Sequence, residues 1–312
     1  DKVENARNFA NKMWNASRFI MLNLDKAAVP AECPMNDLQA EDKWILSKFG
    51  ALAENVARNM DAFELGIALD NITDFAWNEF CDWYIEMVKQ RLYDDADTTK
   101  AAALWTLKYV LTGVLKLLHP FMPFVTEEIY VNLTGEESIM TASFPENRKE
   151  FAFVTEEAAI ETVKEAVRGI RAVRKDMDVP PSKKALVYIV SADEAVKKTF
   201  ADAAAVFARL SGASEVKVQA DKAGIAGSAV SVVIKDAAIY MPLGDLIDIE
   251  KEKERLKKEE QRLMGELKRS EGMLSNEKFI SKAPAAKIEE EKAKLAGYQE
   301  MMAKVKERLA SL

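Results

Sequence analysis

Polar and aromatic side chains near the start of the chain have the types and spacing that contact with unpaired nucleic-acid bases requires. Asn8, Lys12, Asn15 and Phe19 follow one another at intervals of four, three and four residues, so a helix would align them in one narrow stripe. The amides would bond base edges, the lysine would meet a phosphate and the ring would stack on a base. The structural alternative is that Phe19 packs against another helix and the asparagines are only solvated.

Basic residues cluster at the end of a later predicted helix, which begins at Glu156. The cluster starts at Lys164, and Arg168, Arg171 and Lys175 share one helical face, in a chain whose formal net charge is −7. Two interpretations stay open. The cations contact phosphates, or they stabilise the helix C-terminus.

Composition argues against chemistry within the chain. There is one histidine and there are two separated cysteines, so we expect no disulfide, no metal site and no catalytic residue. Glycine-rich phosphate loops and nucleophile-elbow motifs do not occur. No apolar run reaches membrane-spanning length and no signal-peptide pattern opens the chain, so we expect a cytoplasmic protein without a membrane partner. The Met- and Trp-rich stretches are expected in the core.

Helical periodicity predicts a mainly α fold that begins with an antiparallel helical bundle over residues 1–150. The predicted bundle helices cover residues 3–24, 42–63, 72–92, 100–118 and 126–133, and proline at position 120 ends the fourth. Residues 151–243 alternate a helix at 156–175, a helix at 193–210 and short β-branched runs at 185–191, 215–219, 229–235 and 237–242. This texture indicates a small α+β module.

Residues 244–312 are rich in charge, and their apolar residues recur at the seven-residue interval of a coiled coil. Ile249, Leu256 and Leu263 are seven apart, and so are Ile288, Leu295, Met302 and Leu309, with Tyr298, Val305 and Leu312 in a second row. Two such helices joined by a turn at 275–284 predict an antiparallel coiled-coil hairpin. Most of its charges are expected to be solvated, although a projecting arm with cations near its turn suits a nucleic-acid or protein partner.

Several stretches resemble the C-terminal half of bacterial valyl-tRNA synthetases, which are class I aminoacyl-tRNA synthetases. They are NARNFANKMWNASRFIML at 5–22, DKWILSK at 42–48, DFAWNEFCDWYI at 74–85, LHPFMPFVTEEIY at 118–130 and NEKFISKAPAAKIEEEKAKL at 276–295. The family's HIGH and KMSKS signatures and its editing domain are missing from the sequence. The resemblance therefore implies no cofactor in this fragment, with ATP and Mg²⁺ belonging to the full enzyme.

The resemblance also implies a partner, a valine-accepting tRNA bound by a monomer. Anticodon contact is expected on the first helix, from Asn8, Asn11, Lys12, Asn15, Arg18 and Phe19. Contact with the tRNA backbone and outer corner is expected from Arg168, Arg171, Lys175, Arg262, Arg269 and Lys292. Two alternatives remain: a coiled-coil protein-interaction module, and the equivalent region of another class Ia synthetase.

Overall fold

The computed structural model describes residues 2–246, 249–276 and 285–311. The described chain is mainly helical with one four-stranded sheet, as predicted. It divides into two compact units, one formed by Asp1–Arg168 with Lys198–Leu210 and the other by Gly169–Lys197 with Ser211–Leu312.

The first unit contains the helices of the predicted bundle, together with residues 151–168 and 198–210, which the sequence prediction assigned to the α+β module. Its helices are α1 (Lys2–Leu24), α2 (Ala40–Asp61), α3 (Leu65–Asp74), α4 (Ile85–Tyr93), α5 (Lys100–Leu118) and α6 (Pro123–Thr134). The bounds of α5 match the prediction. Among the described helices, α5 alone is long and apolar enough to span a membrane, but 72% of its apolar window is buried inside the protein. It is the central core helix of the bundle.

A π-helical segment, Phe75–Tyr84, joins α3 to α4 without a break. The amide of Ile85 donates to the carbonyl of Phe80, five residues back, rather than four. The third helix predicted at 72–92 corresponds to α3, the π segment and α4 together. The prediction begins seven residues after the observed start at Leu65, and it does not include a π-helical segment. Periodicity missed both because the segment is rich in aromatic residues on several sides, which a 3.6-residue repeat does not resolve.

A buried ionic cluster joins α2 to α4. Asp42 is fully buried, and it accepts hydrogen bonds from Arg91 Nη2 at 2.9 Å and from the Tyr84 hydroxyl at 2.7 Å. Arg91 also bonds Glu41 at 2.8 Å, whose pKa is raised by burial and by the adjacent Asp42 charge. Removing one partner from such a cluster costs about 3–5 kcal/mol, because it strands a buried charge.

Helix α7 (Val154–Asp176) contributes its first part to this unit and packs on α2. The indole of Trp44 donates to Glu161 at 3.0 Å, and the Ser47 hydroxyl donates to Glu157 at 2.7 Å. These bonds fix the start of α7 against the bundle.

The sheet belongs to the second unit. Its strands are β1 (Ala185–Val190), β2 (Ala213–Gln219), β3 (Val230–Ile234) and β4 (Ala237–Met241), in the order β2-β1-β4-β3. Strands β1 and β2 are parallel, and the other pairs are antiparallel. The later part of α7 packs closely on the sheet, since a Cβ at Gly169 would lie 2.4 Å from Val232 Cγ1.

The single helix predicted over 193–210 is two helices, α8 (Glu194–Asp202) and α9 (Ala204–Ser211). No proline or glycine marks the break, so an alanine-rich helical pattern runs through it in the sequence. A short helix, α10 (Leu243–Leu246), follows the sheet.

The arm consists of α11 (Ile249–Leu274) and α12 (Ala285–Ser311), the two helices that the heptad pattern predicts. Leu256, Leu263 and Met302 are buried in the seam between them. Ser270 takes the next heptad position after Leu263, and its buried hydroxyl donates to Glu291 Oε1 at 2.7 Å. Most of the predicted turn (277–284), the Ile249 side chain and Leu312 lie outside the described residues.

Candidate nucleic-acid interface

The buried face of α1 fixes which of its side chains meet solvent. Phe9, Met13, Ser17 and Ile20 are buried, and the Phe9 ring stacks on Trp77 with centroids 6.4 Å apart. Val3, which the predicted apolar face included, is 79% exposed. The buried face is therefore rotated toward Phe9 relative to the prediction, because the Trp77 ring provides a partner that the sequence of α1 alone does not reveal.

The predicted anticodon-contact residues of α1 divide into two groups. Four of them, Asn8, Asn11, Asn15 and Arg18, are exposed, and within the described chain their side chains make no hydrogen bond or ion pair. Lys12 and Phe19 are half-buried at the edge of the packed face. The surface of α1 is thus a row of exposed amide and guanidinium groups. The half-buried Lys12 and Phe19 side chains lie along one side of this row.

Lys12 and Phe19 are held by neighbours from the π segment and α4. Lys12 Nζ lies 2.5 Å from Asp82 Oδ1 and 4.0 Å from the centroid of Trp77. Lys89 Nζ lies 5.8 Å from the centroid of Phe19. These contacts restrict both side chains before any ligand arrives, and they also neutralise part of the Lys12 charge.

Trp14 is an exposed aromatic residue that the sequence interpretation did not single out. It is 48% exposed, whereas Trp44, Trp83 and Trp105 are buried as expected. Helical spacing could have found it, since Trp14 is three residues after Asn11 and four before Arg18 and so shares their face. It also lines a cavity of about 450 Å³ between α1 and α6.

The basic cluster of α7 contains cations of two kinds. Lys164, which we grouped with the phosphate-contact candidates, is fully buried, pairs with Glu79 and Glu161 and lies 4.5 Å from the Trp44 ring centroid. Its role is structural, because α7 packs against aromatic side chains at that turn. Arg174 is likewise buried and donates to the carbonyls of Pro180 and Lys183.

The three cations of α7 that we predict to contact the tRNA backbone are exposed at the surface. They are Arg168, Arg171 and Lys175. The Arg168 guanidinium carbon lies 5.3 Å from the centroid of Trp83, which restricts the stem of the side chain while its edge stays in solvent.

The predicted cations of the arm are exposed, and each is paired with an acid on its own helix. Arg262, Arg269 and Lys292 approach the acid three residues earlier on their own helix, at 2.7, 3.9 and 2.9 Å. Their side chains are 53%, 74% and 58% exposed. The Arg269 and Lys292 pairs are single exposed contacts of the kind worth about 0.3–0.5 kcal/mol, so a phosphate can readily replace those carboxylates. Arg262 instead donates two bonds to Glu259, from Nε at 2.9 Å and from Nη2 at 2.7 Å.

The histidine and the two cysteines, whose side chains could bind a metal ion or transfer a proton, lie in packed or hydrogen-bonded surroundings. His119 Nδ1 lies 2.8 Å from the Thr126 hydroxyl at the end of α5. Burial raises the pKa of Cys81 to about 12, while Cys33 is half-buried. Within the described ranges, no cluster of three or more His, Cys, Asp or Glu side chains is placed to hold a metal ion.

Two family models match the chain. Residues 42–189 match the anticodon-binding domain of tRNA ligases, and residues 248–312 match the valyl tRNA synthetase tRNA binding arm. The first match covers α2 to α7 and reaches into β1, and the second covers the hairpin. Helix α1 lies before the first matched range. Together with the fold, the matches define the chain as the anticodon-binding region of a tRNA ligase.

Valine–tRNA ligases from several bacteria are similar to the chain over its full length. The valine–tRNA ligases of Clostridium perfringens and Clostridium tetani are 46% and 47% identical to it, and that of Carboxydothermus hydrogenoformans is 38% identical, each over 100% of this chain. The chain spans little more than a third of the length of these relatives, 36%, 35% and 35%. It belongs to the valine–tRNA ligase family and carries that family's anticodon-binding domain and tRNA-binding arm.

Proposed function

We propose that the chain binds a valine-accepting tRNA, and that α1 contacts its anticodon loop. The observation that carries this proposal is the exposed row of Asn8, Asn11, Asn15 and Arg18, whose polar groups find no partner in the described protein. Side-chain amides and a guanidinium can read the edges of unpaired bases, which are the parts of an RNA loop that carry sequence information.

Aromatic rings beside this row supply stacking surfaces. Phe19 lies along one edge of the row and Trp14 along the other. A base stacked on such a ring gains about 1–3 kcal/mol, whatever its identity. Stacking would therefore provide affinity, and the amides would provide selectivity between anticodons.

The arm contributes phosphate contacts at the outer corner of the tRNA. Arg262, Arg269 and Lys292 are exposed, and Arg269 and Lys292 make only single contacts with their intrahelical acids. An arginine can bind a phosphate through two parallel bonds, whereas Lys292 acts as a point charge. Exposed Arg168, Arg171 and Lys175 on α7 add further backbone contacts.

In the full-length enzyme this binding would position the acceptor end of the tRNA for attachment of valine. That reaction uses ATP and Mg²⁺, held by the parts of the enzyme beyond this chain. We propose that the chain acts as a monomer in the cytoplasm, without a membrane or a cofactor of its own.

The rival function, a coiled-coil module that pairs with another protein, is less well supported. The apolar seam of α11 is already filled by α12, with Leu256, Leu263 and Met302 buried between the two helices. A partner coiled coil would have to displace this pairing or bind the charged outer faces.

Competition between two tRNAs tests the proposal. Labelled valine-accepting tRNA is bound to the chain and displaced by unlabelled valine-accepting or isoleucine-accepting tRNA. We expect valine-accepting tRNA to compete better, and the difference to shrink when Asn15 and Phe19 are both replaced by alanine. Equal competition by the two tRNAs would contradict the proposal that α1 distinguishes between their anticodons.

A further inference from the structure

A cavity of about 650 Å³ opens on the bundle, lined mainly by α5, α6 and two loops. No residue of α1 lines it. One wall is a row on α5 formed by Lys108, Thr112 and Lys116, each four residues from the next and therefore on one side of the helix. The volume falls within the range of about 300–1,000 Å³ typical of small-molecule sites.

The charge of this cavity differs from that of the chain as a whole. Its lining has three cations, Lys108, Lys116 and Arg148, and one acid, Glu136, although the chain carries a net charge of −7. Arg148 pairs with Glu150 at 2.6 Å. As far as the described structure extends, Lys108 and Lys116 have no acidic partner, so two uncompensated ammonium groups line the same opening.

Planar rings form the adjoining wall. Trp105 and Tyr109 stack with centroids 4.9 Å apart and planes 12° apart, and Tyr130 and Phe144 also line the cavity. Lys116 Nζ lies 5.9 Å from the Tyr130 centroid. Burial raises the pKa of the Tyr109 phenol, so this wall stays uncharged at neutral pH. Cations beside flat apolar rings suit a ligand that has both an anionic group and an aromatic ring.

The walls are fixed by close packing. A Cβ at Gly113 would lie 2.0 Å from Phe49 Cζ, so the Phe49 ring presses directly on the α5 backbone at the cavity. The loop that carries Arg148 is tied to α2, because Asn147 Nδ2 donates to Glu54 Oε2 at 2.8 Å and Gly50 leaves room for the Asn147 side chain. A site with preformed walls loses little conformational entropy on binding.

We propose that this cavity binds a nucleotide unit, with its phosphate on Lys108 and Lys116 and its base against the aromatic wall. The source of that unit is either a free mononucleotide or one residue of an RNA strand. This site is distinct from the α1 surface, and the proposal does not depend on anticodon recognition by α1.

Titration with AMP, followed by tryptophan fluorescence, tests the free-nucleotide source, with inorganic phosphate as the ligand that lacks a ring. We expect saturable binding of AMP, tighter than that of phosphate. Replacing Lys108 and Lys116 together by glutamine should weaken AMP binding at least about tenfold, since it removes both charged donors that would meet the phosphate. The Lys108→Arg/Lys116→Arg variant should restore much of the affinity. Lys198→Gln, at an exposed lysine on α8, is the matched control and should bind AMP like the parent.

A parallel titration with a short single-stranded RNA identifies the RNA source. Loss of RNA affinity in the glutamine variant, without measurable AMP binding to the parent, would assign the cavity to a residue of an RNA strand. Two results would overturn the proposal: phosphate binding as tightly as AMP, or glutamine variants that bind both AMP and RNA like the parent. The AMP readout does not use tRNA recognition by α1, so its failure leaves the proposed function standing, and failure of that function leaves this site standing.

Discussion

Lys12 and Asp82 form an ion pair at the edge of the α1 surface, with Nζ 2.5 Å from Oδ1. The Lys12 side chain is 24% exposed and that of Asp82 is 50% exposed, so both groups meet solvent beside the exposed asparagines. The carboxylate aligns the ammonium group, but it also competes with any phosphate that approaches. If this surface binds RNA as proposed, Asp82 should therefore lower its affinity.

The substitution Asp82→Asn should strengthen tRNA binding. It removes a like charge from the path of the phosphate and releases Lys12 from a partly exposed pair worth about 0.2–1 kcal/mol. We expect affinity to rise by about two- to fivefold, measured by filter binding at fixed salt. Lys12→Ala should lower affinity, and in the Lys12→Ala background Asp82→Asn should have a smaller effect. Equal effects of Asp82→Asn in both backgrounds would show that Lys12 is not the phosphate contact.

Removing either aromatic ring at the α1 surface should weaken tRNA binding without unfolding the bundle. Phe19→Ala and Trp14→Ala each delete one stacking surface, so we expect losses of about 1–3 kcal/mol, or roughly 5- to 150-fold in affinity. Phe124→Ala is the control, because Phe124 is 90% exposed on α6 and lies outside the proposed surface. Parent-like binding by both α1 variants, with native circular dichroism, would rule out base stacking on this helix.

Arg269→Ala should distinguish tRNA binding by the arm from tRNA binding by the bundle. The arginine is exposed and its acidic partner lies 3.9 Å away, so its removal should leave the hairpin folded. We expect weaker binding of intact valine-accepting tRNA and unchanged binding of an isolated anticodon stem-loop. The same loss on both ligands would mean that the residue does not contact the outer corner. Lys258→Ala, also exposed on α11 and paired within its helix, serves as the comparison.

Cys81 should make the fold sensitive to alkaline pH. Burial raises the pKa of its thiol from 9.0 to about 12, so the folded protein keeps a proton that the unfolded chain releases between these values. The free energy of unfolding is therefore unaffected by this group below pH 9 and falls as pH rises from 9 to 12, by at most about 4 kcal/mol. Urea unfolding at several pH values should give a shallower alkaline decline for Cys81→Ala than for the parent. Identical pH dependence of the two proteins would show that the thiol does not contribute.

The bundle and the arm could be predicted because their helices carry strong local signals. The bounds of α5 follow from its apolar run and the proline at 120, and the heptads of α11 and α12 follow from leucine spacing. Ser270 escaped the prediction because a buried serine looks like a surface residue until Glu291 is placed opposite it. The π segment was not predicted because no single residue type marks a shift from i+4 to i+5 hydrogen bonding.

The candidate site was only partly predictable for a similar reason. Asn8, Asn11, Asn15 and Arg18 are exposed, as a surface for contact requires, whereas Lys164 is not. Lysine has no local pattern that distinguishes a solvated cation from one enclosed by Trp44, Glu79 and Glu161. The partners that decide the case of Lys164 include Trp44 and Glu79, which are far from it in sequence.

The salt dependence of binding to valine-accepting tRNA tests the central claim most directly. Phosphate contacts release counterions, so the logarithm of the association constant should fall linearly with the logarithm of salt concentration. The slope should become less steep by roughly one unit for each exposed cation removed, such as Arg269 or Arg168. Binding that is insensitive to salt, or a slope unchanged by these substitutions, would contradict the account.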